Sequence, residues 1–139
     1  HLAALALRGR LDNLTEVGVS LADRVQFRAL VQQGKWIEAI NILANVPNHL
    51  PQIERVMLAD PAGTLMAVAP DSPEVVGKNF AFRDWYQGVS KEWKPYVSEV
   101  YTRIAEPRRN VIAAAIPIKA DGGAALGILV LQVRAETLA

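Results

Sequence analysis

An α+β fold with an antiparallel sheet is predicted by three features of this 139-residue sequence. Its first part carries helical periodicity. From Gln52 onward the pattern changes to strand-length apolar runs separated by Pro and Gly turns. Between those runs, the segment FAFRDWYQGVSKEWKPYVSEVY (residues 80–101) gathers two of three Trp, all three Tyr and two of three Phe.

The opening helix is expected over residues 1–33. Leu7, Leu11, Leu14, Gly18, Leu21 and Val25 alternate at steps of four and three, which is coiled-coil spacing. Arg8, Arg10, Asp12, Asn13, Glu16, Asp23 and Arg24 fall off that seam. The seam suits packing against the chain's own domain as well as a homodimer. A second helix is expected over 35–46, with Trp36, Ala39, Ile40 and Leu43 on one face and Pro47 as its stop. The region 50–135 should form the sheet and a ligand pocket. IERVMLA and TLMAVA read as strands joined by the turn DPAG, and PDSPEVVGKNF reads as a loop. RDWYQGVSKEW reads as a short helix across the sheet, roughly 82–91. YVSEVYT, NVIAAAIPI and AALGILVLQV follow as strands, the last two joined as a hairpin through KADGG. Their near-continuous apolar character suits central strands covered on both faces. The whole of 1–139 is thus expected as one domain, a PAS-like arrangement. It has a five-stranded antiparallel sheet, a long N-terminal helix and a short helix over a pocket.

Composition narrows the function. With 51% hydrophobic and 21% charged residues the chain belongs among folded globular sequences. Its net charge of +1 gives no case for nucleic-acid binding. Cysteine is absent, which excludes disulfides, thiolate metal sites and cysteine nucleophiles. His1 and His49 have no metal-ligand spacing, and no nucleotide-binding or hydrolase motif occurs. No metal and no cofactor is therefore expected; a haem would have only His49 to rely on, in a proline-bounded stretch. No apolar run reaches the roughly 18–20 residues of a spanning helix. No secretory signal is seen. The chain opens at His1 with helix-like sequence, so an excised portion of a longer protein is expected.

Basic residues are unevenly placed. Lys78, Arg83, Lys91, Lys94, Arg103, Arg108 and Arg109 face four acids over the same stretch, Asp84, Glu92, Glu99 and Glu106. That sign suits an anionic ligand. A short helix carrying Arg83, Trp85 and Tyr86 over a sheet supplies what a small-molecule site needs: apolar walls and a few convergent donors. Arg83 offers a planar fork to a carboxylate, Trp85 and Tyr86 offer walls and donors, and Tyr101 closes the pocket from a strand. Each also has a plainer reading. Arg83 pairs with Asp84 or Glu99 at the surface, and the aromatics serve as packing.

The ordered set GKNFAFRDWYQG (residues 77–88), PYVSEVY (95–101) and VIAAAIPI–KADGG–AALGILVL (111–131) resembles the extracytoplasmic Cache (PAS-like, PDC) sensor domains of bacterial and archaeal signal transducers. The resemblance covers about residues 50–133. It implies a non-catalytic, periplasmic or extracellular ligand-binding domain of a membrane protein. The parent would be a histidine kinase, chemoreceptor or cyclic-dinucleotide enzyme, anchored only by flanking helices. Amino-acid-binding members use a Tyr five residues before the arginine and an Asp in the last strand to hold the amino group. Here Lys78 and Gln132 stand at those positions, and Arg103 follows Tyr101 where another acid is expected. The implied ligand is a small organic anion, a mono- or dicarboxylate, held by Arg83, Trp85, Tyr86, Tyr101, Arg103 and Gln132. Three alternatives stay open: an amino-acid sensor, a dimerisation module with a vestigial pocket, and an enzyme with a triad assembled only in space.

Overall fold

A computed structural model describes residues 2–50 and 52–138. Four helices come first: α1 (Leu2–Ala22), α2 (Val25–Gln32), α3 (Trp36–Leu43) and α4 (Val46–His49). Strands β1 (Ile53–Ala59) and β2 (Leu65–Ala69) follow, then a 3-10 turn (Pro73–Val75) and α5 (Asp84–Glu92). Strands β3 (Tyr96–Val97), β4 (Tyr101–Thr102), β5 (Asn110–Lys119) and β6 (Ala125–Arg134) complete the sheet. Its order is β2-β1-β6-β5-β3, with β4 also on β5, and all pairings are antiparallel.

The long strands sort their side chains by alternation into two cores. Val56, Leu58, Ala114, Ile116, Ile118, Leu129, Leu131 and Val133 meet Leu14, Leu21, Phe27, Val31, Ile40 and Leu43 from the helices. Met57, Ala59, Ala113, Ala115, Ile128 and Val130 form the opposite face and meet Trp85 and Val89 of α5. Both faces of β5 and β6 are covered, which explains their continuous apolar runs.

Three local expectations are corrected. The helix expected over 1–33 breaks at Asp23 and Arg24, where Arg24 takes an extended conformation (φ −60°, ψ 130°). The apolar stripe changes phase there. Val25, the next seam position, is 76% exposed, and Phe27 is fully buried in its place. Pro47 does not end the second helix. That helix stops at Leu43, and Pro47 sits in the first turn of α4, where a missing N–H costs nothing. YVSEVYT is divided into β3 and β4 around Ser98. The Ser98 hydroxyl oxygen accepts from the Ala113 N–H at 2.9 Å, taking over a bond that a strand carbonyl would have made.

Most of the predicted helical seam is spent on the chain's own sheet. Leu14, Gly18 and Leu21 are buried, and a Cβ on Gly18 would lie 2.5 Å from Ile116 Cγ1. Glycine is required here for close approach of α1 to β5. Gly18→Ala should therefore lower unfolding stability by about 1–3 kcal/mol through overpacking. Gly9→Ala, with nothing within 4 Å of the added methyl, should raise it by up to about 1 kcal/mol. Urea denaturation of the two variants checks the contrast.

Candidate ligand-binding site

Beneath the N-terminus of α5, on the sheet face opposite α1, lies a cavity of about 30 Å³. At roughly 10–15 Å³ per enclosed water it has room for two or three water molecules. Met57, Leu65, Val75, Phe80, Trp85, Ile104 and Ala105 give its apolar walls; Arg55, Arg83, Arg103, Tyr101 and Gln132 give its polar ones. Three arginines line it, and no carboxylate does.

Each polar group is positioned by a different element. Arg83 is the N-cap residue of α5, partly buried, with its guanidinium carbon 4.4 Å from the centre of the Tyr101 ring and 4.9 Å from that of Phe82. Its Nη2 donates to the Thr102 carbonyl at 3.1 Å. Asp84 is not its partner: that carboxylate accepts the Glu99 N–H at 2.7 Å, tying the first turn of α5 to the segment between β3 and β4. Trp85 is 2% exposed and faces the cavity.

Arg103 is buried and paired with a carboxylate, and its Nη2 has no hydrogen-bond acceptor among the described residues. Its Nε donates to the Pro107 carbonyl at 2.8 Å, and its Nη1 to Glu54 Oε1 at 2.7 Å and Gln132 Oε1 at 3.3 Å. Because Arg103 takes the amide oxygen, Gln132 turns its nitrogen to Tyr101 and donates to the phenol oxygen at 3.2 Å. The Tyr101 hydroxyl proton is left without a protein acceptor among the described residues. Burial pushes the Tyr101 phenol above its ordinary value of 10.0, and the Gln132 hydrogen bond and Arg83 offset this only in part. Tyr101 is thus a neutral donor throughout the physiological range.

A β-bulge creates the most charged corner. Ile53 pairs with Val133 and Arg55 with Gln132, so Glu54 is the extra residue. The bulge lets Ile53 join the helix-side core while Arg55 joins the cavity. Glu54 Oε1 also lies 3.3 Å from Arg109 Nε, and its Oε2 lies 3.9 Å from Arg134 Nε. One carboxylate therefore serves Arg103, Arg109 and Arg134. Arg55, 9% exposed, makes one hydrogen bond among the described residues, from Nη2 to the Glu106 carbonyl at 3.3 Å. Burial first, and then repulsion from Arg103, holds its pKa below the ordinary arginine value.

Of the six residues expected at the site, Arg83, Trp85, Tyr101, Arg103 and Gln132 line the cavity. Tyr86 does not. Its ring packs where Gly63 has no side chain, and its hydroxyl donates to the Pro61 carbonyl at 2.7 Å, outside the cavity. Trp85 and Tyr86 are neighbours on a helix, about 100° apart, so one faces in and the other across. Arg55 was missed. Its signal was present, since alternation along IERVMLA puts it on the same face as Met57. Lys78 is exposed and lies outside the cavity lining, and among the described residues no acidic or histidine cluster could hold a metal ion.

No protein-family model and no curated protein sequence matches the chain. Solved structures do. The ligand-binding domain of the Campylobacter jejuni chemoreceptor Tlp3, in complex with 4-methylisoleucine, aligns with a TM-score of 0.77 at 17% identity, over 99% of this chain and 56% of that one. The ligand-binding domain of the Pseudomonas aeruginosa amino-acid chemoreceptor PctB, in complex with L-Arg, aligns at 0.74 and 18% identity, over 99% and 55%. The sensor domain of the Vibrio cholerae histidine kinase DctB aligns at 0.71 and 15% identity, over 98% and 53%. The chain has the fold of these receptor sensor domains, the Cache-type fold expected from its motifs. It spans about half the length of each of them.

Two outcomes test the electrostatics. Glu54→Gln removes the carboxylate shared by Arg103, Arg109 and Arg134 and should cost about 3 kcal/mol in unfolding free energy, as for breaking the buried pair with Arg103. The raised Tyr101 pKa means that the folded chain holds this proton more tightly than the unfolded one. The resulting stability is complete below about pH 10 and is lost as pH rises through the elevated value. Denaturation midpoints should therefore fall more steeply above about pH 10 for the parent than for Tyr101→Phe.

Proposed function

We propose that the chain is the extracytoplasmic ligand-binding module of a membrane signal transducer and that it senses a small organic anion. It is itself non-catalytic, and the cavity beneath α5 is its site. The observation that carries this reading is the charge inventory of the cavity wall, three arginines and no acid, with Glu54 offsetting only Arg103. Arg83 at the mouth and the Tyr101 hydroxyl converge on the guest, and Trp85 and Phe80 wall its apolar part. Charge-assisted hydrogen bonds contribute about 1.5–3 kcal/mol each, and a micromolar ligand needs about 8 kcal/mol, so two such bonds plus burial of a small apolar body suffice. An amino acid fits less well, because its ammonium would meet guanidinium groups and no carboxylate.

Placement outside the cytoplasm is supported by the likeness of the fold to the sensor domains of membrane receptors and of a histidine kinase. The terminal elements carry the signal: α1 lies along β5, and β6 runs directly into Ala135–Leu138. Homodimerisation would use the first turns of α1, where Leu5 is 64% exposed, because the later seam is occupied by the sheet. The cavity's small volume favours one competing reading, an interaction module whose pocket is closed by its own side chains.

A thermal-shift screen against organic acids, amino acids, purines and amines separates the two. Organic acids should raise the melting temperature, and Arg83→Ala should abolish the rise while leaving the basal transition in place. A closed interaction module would show no shift with any of these compounds. A rise that survives Arg83→Ala would remove the arginine from the site.

A further inference from the structure

The segment that closes the cavity is held by its arginines in a consistent way. Arg83 donates to the Thr102 carbonyl, Arg55 to the Glu106 carbonyl and Arg103 to the Pro107 carbonyl. Residues 102–107 are thus tethered at three points by guanidinium groups that also form the cavity wall. The three are not equivalent. Arg103 has the Glu54 carboxylate besides its carbonyl, and no such partner reaches Arg83 or Arg55 within ion-pair distance among the described residues. The acids beside Arg55 are engaged elsewhere: Glu54 Oε1 by Arg103 and Arg109, and Glu74 by the Ser72 hydroxyl at 2.5 Å, while the buried Glu54 Oε2, 3.9 Å from Arg134, has no hydrogen bond among the described residues.

Arg55 is the stronger anomaly. A cation 9% exposed, beside another cation and with a single neutral acceptor among the described residues, is stabilised when something anionic shares its site. Arg55 stands on the sheet floor and Arg83 at the helix N-terminus, so they approach a guest from different elements. A carboxylate is a stronger acceptor than a peptide carbonyl. A guest with two carboxylates would take over both tethers, and Ile104 and Ala105 would move outward to make room for it.

We infer that Arg55 and Arg83 are paired anchors for a small dianion, so that the cavity selects linear dicarboxylates over monocarboxylates and amino acids. This rests on the reading of the cavity as an anion site and assigns the second anchor to Arg55, on β1, with Arg103 as its internally neutralised neighbour.

Isothermal titration of the domain with malonate, succinate and glutarate, against butyrate and succinamate, tests it. At least one dicarboxylate should bind about 10- to 100-fold more tightly than the singly charged compounds. Arg55→Gln should erase that advantage by weakening dicarboxylates far more than butyrate, whereas Arg83→Gln should weaken both to a similar degree. Arg55→Lys keeps the charge without the fork and should retain part of the preference, which covers the case in which Arg55→Gln fails to fold. Equal affinity for dicarboxylates and monocarboxylates, or a preference that survives Arg55→Gln, would overturn the second anchor while leaving an anion site. Absence of binding by every carboxylate would overturn both. Tighter binding by amino acids than by succinate would overturn the dianion and favour a site that neutralises ammonium.

Discussion

Glu54 is the carboxylate that the fold sets against Arg103, a guanidinium group it has taken out of water. It holds Arg103 at 2.7 Å and stands close to Arg109 and Arg134, at the point where β1 bulges. Removing charges from water is expensive, and a buried arginine is tolerated only with a well-placed partner. Glu54 satisfies one such demand fully. In doing so it fixes Arg103, which orients Gln132, which in turn makes the Tyr101 phenol an acceptor and leaves its proton without an acceptor among the described residues. The order of the polar wall descends from this ion pair.

The same pair explains which cations remain for binding. Arg103 looks like an obvious ligand group in the sequence, yet its charge is paired with Glu54, and its Nε and Nη1 are engaged by the Pro107 carbonyl, Glu54 and Gln132. Arg55 is adjacent to Glu54 in the chain but is turned to the cavity without it. Net positive charge therefore collects on the floor and at the mouth, with a desolvated wall of Trp85, Phe80 and Met57 between. Such a low-dielectric pocket, with fixed cations and no anion among its described lining, is what carries the proposed reading of an anion site. Glu54 also reaches Arg134, the last residue of β6, so cavity and chain exit share one electrostatic cluster.

Much of the fold was legible because alternation and periodicity report burial directly. The hairpin of β5 and β6, the turn between β1 and β2, and the short helix after residue 82 all lie where apolar pattern and turn residues put them. Misreadings occur where tertiary packing changes the phase of a pattern. The heptad-like seam of α1 continues numerically to Val25, but the chain kinks at Arg24 so that Phe27 is buried. Ser98 divides a strand that looks continuous, since its hydroxyl replaces a backbone group in the ladder.

By itself the sequence determined the α+β class, the two-sided burial of the last strands, and the concentration of aromatic and basic residues around one short helix. These depend on the spacing of side chains along a single element, and spacing is local. Tertiary structure alone decided which cavity arginine is paired with a carboxylate, and that Tyr86 turns to Pro61 while Trp85 turns inward. It also decided that a bulge at Glu54 sends Arg55 into the cavity. Those outcomes depend on which groups from separate elements come within hydrogen-bonding distance. Charges on β1, α5 and the loop after β4 meet only once the sheet has closed.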